Sequence, residues 1–211
     1  MHKIALSRYS SIKTRSTERF IELFLIWCFF EDTTLSNATF DRFKSFSYDD
    51  PLLGECNHAF QLSKESDPFG DGTIGELDST ILNWEKANIK LKNEFKSHYQ
   101  EQHFLSKEEF LSFFGEDDFD RQCHYCKIKE SEIKKLIEDR KILTKTLATR
   151  GKTFEVDRLQ ANKGYTIKNI VLCCYWCNNA KTDEFDELEF KPIGEAIGKT
   201  FRKRLTKSEF A

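Results

Sequence analysis

The sequence predicts an α+β protein with a mostly helical N-terminal half and a C-terminal half that combines two short strands with helices. Three observations lead to this prediction. Apolar residues recur at helical spacing in the first half, and two segments of the second half have the composition of strands. Four of the seven cysteines form two Cys-x-x-Cys pairs that bracket those segments. We place the boundary after residue 118, which predicts a helical domain of unknown role over 1–118 and a second domain over 119–211.

The composition indicates a globular chain that does not cross a membrane. Of the 211 residues, 39% are hydrophobic and 14% aromatic, enough for one sizeable core or two small ones. The longest apolar run, from Leu23 to Phe30, is far shorter than the roughly 20 residues that span a bilayer. Residues 1–15 contain no apolar segment of the kind found in a secretory signal. We therefore expect a cytoplasmic protein.

The charge is distributed unevenly between the two halves. The net charge is −2, but residues 1–120 carry −9 and residues 121–211 carry +7. A basic segment beside an acidic one predicts that the second half meets a polyanion such as nucleic acid. The alternative is a basic face that is simply solvated.

Helical patterns cover much of the first half. Residues 17–30 follow candidate N-caps at Ser16 and Thr17 and predict a core helix. A stripe of apolar residues predicts one long amphipathic helix from Asp78 onward. Ser106 and Glu109 form a capping box that begins a short helix. The members of the stripe are Leu77, Ile81, Trp84, Leu91 and Phe95.

A further helix is predicted near the C-terminus. Ile193, Ile197, Phe201 and Leu205 lie four residues apart, as on one face of a helix. The end of this helix is basic. Its cations suit either the helix dipole or the backbone of a nucleic acid, and the pattern does not separate these two roles. They are Arg202, Lys203, Arg204 and Lys207.

The two cysteine pairs predict a structural zinc site. Cys123 and Cys126 form the first pair, and Cys174 and Cys177 the second. A two-residue spacer lets the chain turn under one ion, and four soft sulfur ligands suit tetrahedral zinc. In a reducing compartment this spacing favours metal over disulfides. The ion would tie together the two ends of the intervening unit, and Cys28, Cys56 and Cys173 are left as ordinary thiols.

The segment between and after the pairs predicts a strand, a loop, a second strand and a helix. Residues 154–159 alternate apolar and charged side chains, residues 170–173 form a second short strand, and 178–181 open a helix. Alternation places Glu155 and Asp157 on the same face. A carboxylate and the Asn178 carboxamide near a strand–helix junction suit a hard cation such as Mg²⁺.

At these residues the sequence resembles the HNH endonuclease family, whose fold is a ββα-metal module. The resemblance runs from Cys123 to Lys181 and includes both cysteine pairs, residues 155–157, the Gly164-Tyr165 turn, Asn169 and residues 177–181. It implies that Asp157 and Asn178 bind a catalytic Mg²⁺ or Mn²⁺. It further implies that Asn169 orders the loop of the general base and that Lys181 lies near phosphate.

The sequence departs from the family at one position. Arg158 stands where the family has its general-base His. Arginine stays protonated and cannot accept a proton, but it can clamp a phosphate with two hydrogen bonds. Asp-Arg before a Gly-Tyr turn also occurs in part of the family, which favours a variant active site. His98 or His103 could supply the base from the first half, although solvent-facing helical histidines are the commoner case.

Three functions follow. The first is a metal-dependent endonuclease that hydrolyses nucleic acid, with double-stranded DNA as the expected partner, a homodimer as one option, and restriction or phage defence as settings that fit. The second is a catalytically degenerate zinc module that binds nucleic acid without cutting it, through Arg158, Lys163 and Lys181. The third is a structural or protein-binding zinc domain.

Overall fold

The computed structural model describes residues 3–47, 73–143 and 150–206. The chain forms two compact units, one made of Met1–Tyr9 with Leu105–Ala211 and the other of Ser10–Phe104. The predicted domain boundary after residue 118 stays a prediction. Cys56 and Lys207 lie outside the described residues.

The first helix, α1, is longer than predicted. It runs over Lys3–Glu31 and contains the predicted core helix. Ser16 and Thr17 do not cap it, because both hydroxyls donate within the helix to the carbonyl oxygen of Lys13. Hydroxyl groups can cap a helix or bond back to the preceding turn, and here the second option is realised.

The unit of residues 10–104 has an aromatic core between helices α2 (Phe40–Ser45), α3 (Thr73–Ala87) and α4 (Ile89–Gln102) and the later part of α1. Phe43 and Phe95 stack with their ring centroids 4.2 Å apart. The prediction of one long helix from Asp78 was wrong, since α3 and α4 are separated at Asn88. The carbonyl oxygen of Trp84 accepts hydrogen bonds from both the backbone amide and the side chain of Asn88, a local bond of the kind that asparagine makes at helix ends.

The other unit contains the predicted strands. Helices α5 (Lys107–Phe114) and α6 (Glu130–Glu138) precede strands β1 (Glu155–Arg158) and β2 (Ile170–Cys173), and helices α7 (Tyr175–Lys181) and α8 (Glu187–Thr206) follow. The strands pair antiparallel, with Glu155 opposite Cys173 and Asp157 opposite Val171. The capping box of Ser106 and Glu109 is confirmed at the start of α5.

The predicted fold class is confirmed as α+β: the described residues are mostly helical, with a two-stranded sheet and a cluster of four cysteines. None of the described helices combines the length and hydropathy needed to cross a bilayer.

Candidate nucleic-acid processing site

The four predicted zinc ligands come together. The sulfur atoms of Cys123, Cys126, Cys174 and Cys177 lie within 4.8 Å of one another, and all four side chains are buried. The Cys126 and Cys174 sulfurs are 3.7 Å apart. Four thiolates at ~2.3 Å from one zinc ion would be separated by about 3.8 Å in a tetrahedron. The cluster therefore fits zinc.

Local turns shape the two cysteine pairs, which we call the first knuckle (residues 123–126) and the second knuckle (residues 174–177). After the first knuckle, Lys127 has a φ of 59° and its amide donates to the carbonyl oxygen of Cys123. In the second, Cys174 is the N-cap of α7. The helix was predicted to open at Asn178, but it begins at Tyr175, so the second knuckle is itself helical.

Asp157 is held between the first knuckle and α7. Its Oδ2 accepts a 2.6 Å hydrogen bond from the Tyr125 hydroxyl and lies 3.5 Å from the Lys181 ammonium. Burial raises the pKa of the Asp157 carboxyl, and this effect outweighs Tyr125 and Lys181, which lower it. The carboxylate is thus desolvated and fixed by two donors, a setting in which added positive charge is favourable.

Lys181 is not placed at the surface. It is fully buried, and its ammonium donates to the carbonyl oxygen of Arg158 at 3.0 Å as well as facing Asp157. The buried ammonium is therefore used by two internal acceptors, and its predicted contact with phosphate stays a prediction.

Glu155 and Asn178 form a direct contact. The Asn178 Nδ2 donates to Glu155 Oε2 at 2.6 Å. Arg150 binds both oxygens of the same carboxylate, at 2.8 and 2.6 Å, and Arg8 lies 4.0 Å away. Because the amide nitrogen of Asn178 faces Glu155, its oxygen is the atom left for another ligand, and it accepts no hydrogen bond from the described residues.

Arg158 lies at the end of β1 and is largely covered. One guanidinium nitrogen donates to the carbonyl oxygen of Lys163 at 3.4 Å, and another lies 3.2 Å from Asp183 Oδ1. The guanidinium also sits over the Tyr165 ring, 5.2 Å from its centroid. Three neighbours therefore fix the direction of this side chain.

Asn169 closes the loop between the two strands. Its Nδ2 donates to the backbone carbonyl oxygens of Gln160 and Gly164, and its Oδ1 accepts from the backbone N–H of Gln160, all at 3.0 Å. The side chain is buried. Asn169 thus sets the shape of the loop that carries Lys163, whose own side chain is exposed.

Helix α8 packs directly against the first knuckle. A Cβ at Gly194 would lie 2.7 Å from Tyr125 Cβ, and one at Gly198 would lie 2.1 Å from the Cys126 carbonyl oxygen. Arg202 donates to that same carbonyl at 3.1 Å. The helix therefore supports both the cysteine cluster and Tyr125.

The basic end of α8 has structural contacts. Arg204 donates to the carbonyl oxygen of Lys141, as Arg202 does to Cys126, while Lys203 is exposed. These bonds account for two of the four cations and leave the predicted choice between helix dipole and nucleic acid open.

The two histidines considered as alternative general bases, His98 and His103, lie in the unit of residues 10–104, which does not contain the candidate site. Burial, together with the charge of His98, lowers the pKa of His103. A role for either histidine in the site stays a prediction.

Sequence reasoning missed three residues that support the site. Tyr125 lies inside the first knuckle, so its position beside a proposed ligand could have drawn attention to it. Arg150 and Arg8 carry no such signal, because their shared contact with Glu155 arises only when the chain folds.

The chain was compared with protein families, curated proteins and solved structures. No protein-family model matches the chain, and no curated protein matches it. Among solved structures, the chain is similar to the rare-cutting HNH restriction endonuclease PacI, with 28% identity and a TM-score of 0.42. The match covers 51% of this chain and 75% of that chain.

Proposed function

We propose that the unit containing the cysteine cluster is a metal-dependent HNH-type endonuclease that hydrolyses phosphodiester bonds of nucleic acid, with double-stranded DNA as the expected substrate. One observation carries the proposal. Asn178 and Lys181, one turn apart on α7, face Glu155 and Asp157 on β1, directly beside the cysteine cluster. A carboxylate and a carboxamide are thereby fixed on the same strand–helix junction.

The proposed zinc is structural. All four protein ligands are thiolates, so the coordination sphere would be closed and no position would remain for substrate. Its role is to join residues 123–126 to residues 174–177, which carry Tyr125 and begin α7. Both segments thereby position residues of the proposed site.

Asp157 and Asn178 are the residues that would hold a second ion, Mg²⁺ or Mn²⁺. Carboxylate and carboxamide oxygens are the hard ligands such ions prefer. When bound, the ion would stabilise negative charge on the phosphate. Glu155 has a different task, since Arg150 and Asn178 occupy its oxygens. It orients the amide so that the Asn178 oxygen is available.

Arg158 would act as the phosphate clamp. Its guanidinium can bind phosphate oxygens with two hydrogen bonds, but it cannot remove a proton from the attacking water. Asn169 shapes the adjoining loop, and Lys163 on that loop is an exposed cation that can reach the nucleic-acid backbone. Lys181 would neutralise part of the charge of Asp157 from behind.

A second candidate is a module that binds nucleic acid without cutting it. Arg158 at the position of the general base is the observation that favours it. General-base catalysis contributes roughly 10²- to 10⁴-fold to a rate, so its loss slows cleavage greatly without preventing binding. A homodimer, a cytoplasmic location and a role in restriction or phage defence stay predictions.

Plasmid cleavage separates these candidates. The purified full chain is incubated with supercoiled plasmid, with and without Mg²⁺ or Mn²⁺. We expect nicking only with the added ion, and its loss in both Asp157→Ala and Asn178→Ala at unchanged zinc content. Asn179→Ala is the matched control, because Asn179 is exposed and, among the described residues, its side chain bonds only within α7.

The other outcomes are equally decisive. Cleavage that persists in both Asp157→Ala and Asn178→Ala would move the active site elsewhere. Salt-dependent DNA binding without cleavage under any divalent ion would favour the second candidate. Absence of both would leave a structural zinc domain.

A further inference from the structure

An acidic segment follows the helix of the site. Residues 183–189 hold five acidic side chains within a basic half of the chain. Thr182, the C-cap residue after α7, has a φ of 52° and turns the chain out of the helix. Three of the five acids have evident local tasks, since Asp186 and Glu189 exchange hydrogen bonds at the start of α8 and Glu187 contacts His124 at 2.6 Å.

Asp183 differs from these three acids because its carboxylate forms an ion pair with the Arg158 guanidinium. Its Oδ1 is 3.2 Å from a guanidinium nitrogen. The Asp183 side chain is 81% exposed, whereas that of Arg158 is 14% exposed. Arg158 is also held by the Lys163 carbonyl and the Tyr165 ring. The guanidinium therefore has support without Asp183, while the carboxylate is largely in solvent.

We propose that Asp183 occupies on Arg158 the place that a phosphate oxygen of nucleic acid takes, and that nucleic acid displaces it on binding. The inference rests on the proposed function, in which Arg158 contacts phosphate. A carboxylate and a phosphate offer the same anionic oxygens to a guanidinium. Asp183 is thus an internal competitor that lowers affinity for any phosphate at this position.

The exposure of the Asp183 side chain favours the exchange, although Arg158 itself is largely covered. An ion pair with one exposed partner contributes little net stability, because water and salt screen the exposed charge. Releasing Asp183 therefore weakens binding by only about two- to fivefold, the range measured for such pairs. Nucleic acid must therefore make additional contacts elsewhere on the protein before its phosphate replaces Asp183 on Arg158. This requirement disfavours nucleic acid that binds through few contacts.

The competitor changes the salt dependence in a characteristic way. A phosphate that binds a solvated cation releases a counterion, and each such contact adds about 0.9 to the slope of log affinity against log salt for duplex DNA. When Asp183 already neutralises Arg158, the contact between Arg158 and a phosphate releases fewer counterions. Removing the carboxylate should therefore steepen the slope, by up to about one unit.

The test compares two single-charge substitutions in the full chain. Asp183→Asn removes the carboxylate on Arg158. Glu184→Gln removes the neighbouring charge, which is exposed and makes no ion pair among the described residues. Binding to a fluorescent DNA duplex is measured without divalent ions over a range of salt concentrations. We expect Asp183→Asn to bind about two- to fivefold more tightly at low salt with a steeper slope, and Glu184→Gln to change neither by as much.

A double-mutant cycle completes the experiment. In an Arg158→Ala background, Asp183→Asn should no longer differ from Glu184→Gln, because the residue it competes for is absent. Equal effects of the two substitutions with Arg158 present would overturn the proposal, as would weaker binding by Asp183→Asn. Wild-type protein that fails to bind DNA at all would overturn the proposed function itself, an outcome that is distinct from the other two.

Discussion

The hydroxyl of Tyr125 donates a 2.6 Å hydrogen bond to Oδ2 of Asp157, which joins the first knuckle to strand β1. Burial, together with the bond to Asp157, raises the pKa of Tyr125. The phenol therefore stays protonated and acts as a donor. The Tyr125 side chain in this way links the first knuckle, which would hold the structural zinc, to the Asp157 carboxylate, which would bind the second ion.

Tyr125→Phe should lower the free energy of unfolding by about 1.5–3 kcal/mol, the value of a hydrogen bond to a charged group. Urea unfolding without added Mg²⁺ measures this. Tyr175→Phe is the matched control, because Tyr175 is buried and its hydroxyl makes no hydrogen bond to the described residues. Equal losses in the two variants would show that the bond to Asp157 contributes nothing specific.

We expect one zinc ion per chain, held by the four clustered sulfurs. Cys174→Ser should lose zinc and most of the stability of this unit, because structural zinc contributes on the order of 10 kcal/mol in small peptides. Elemental analysis provides the measurement. Cys173→Ser is the control, since this neighbouring thiol is buried outside the cluster and should retain full zinc. Full zinc in Cys174→Ser would refute the ligand assignment.

Gly198→Ala should destabilise the protein by about 1–3 kcal/mol, the usual cost of overpacking. Helix propensity alone would stabilise this substitution by up to about 1 kcal/mol. The added Cβ, however, would lie 2.1 Å from the Cys126 carbonyl oxygen, so we expect the cost of this steric clash to outweigh the gain in helix propensity. Thermal unfolding decides the sign. Lys199→Ala, exposed on the same helix, should stay within about 0.5 kcal/mol of wild type.

Glu18, in the unit of residues 10–104, forms ion pairs whose contribution to stability should depend on pH. Burial raises the pKa of Glu18, but hydrogen bonds and charges from Lys96 and Lys92 outweigh it, so the pKa lies below its usual value of 4.5. A lowered folded-state pKa stabilises the fold at pH values above 4.5, and the contribution is lost as the pH falls through the folded value.

Glu18→Gln should therefore cost about 0.3–1 kcal/mol at pH 7, a modest value because the pair is partly exposed. The difference from wild type should shrink below pH 4.5. Unfolding at both pH values checks this against Glu101→Gln, an exposed residue without an ion pair among the described residues. A difference that stays constant with pH would exclude ionisation of Glu18 as its cause.

Local patterns determined several elements of this protein. The cysteine spacing predicted the buried four-sulfur cluster, alternation of apolar and charged side chains predicted β1, the short segment 170–173 predicted β2, and the Ser106–Glu109 capping box predicted the start of α5. The turn of each cysteine pair, the strands and the helix cap depend on neighbours within a few residues, so their physical causes are visible in the sequence. The meeting of the two cysteine pairs was predicted instead from the four ligands that zinc requires.

Other local predictions failed where one side chain had two options. Thr17 could cap a helix or bond back within it, and Asn88 could continue a helix or interrupt it. The choice depends on small differences in free energy that packing decides.

The sequence by itself identified the candidate residues of the site, namely four cysteines that the structure brings together, and Asp157, Asn178 and Arg158, whose roles stay predictions. Only the tertiary structure decided what each side chain faces. It buried Lys181 behind Asp157, bound Glu155 to Arg150 and placed Asp183 on Arg158. The physical reason is that hydrogen bonds and ion pairs act over a few ångströms in space, and folding alone sets which distant residues come within that range.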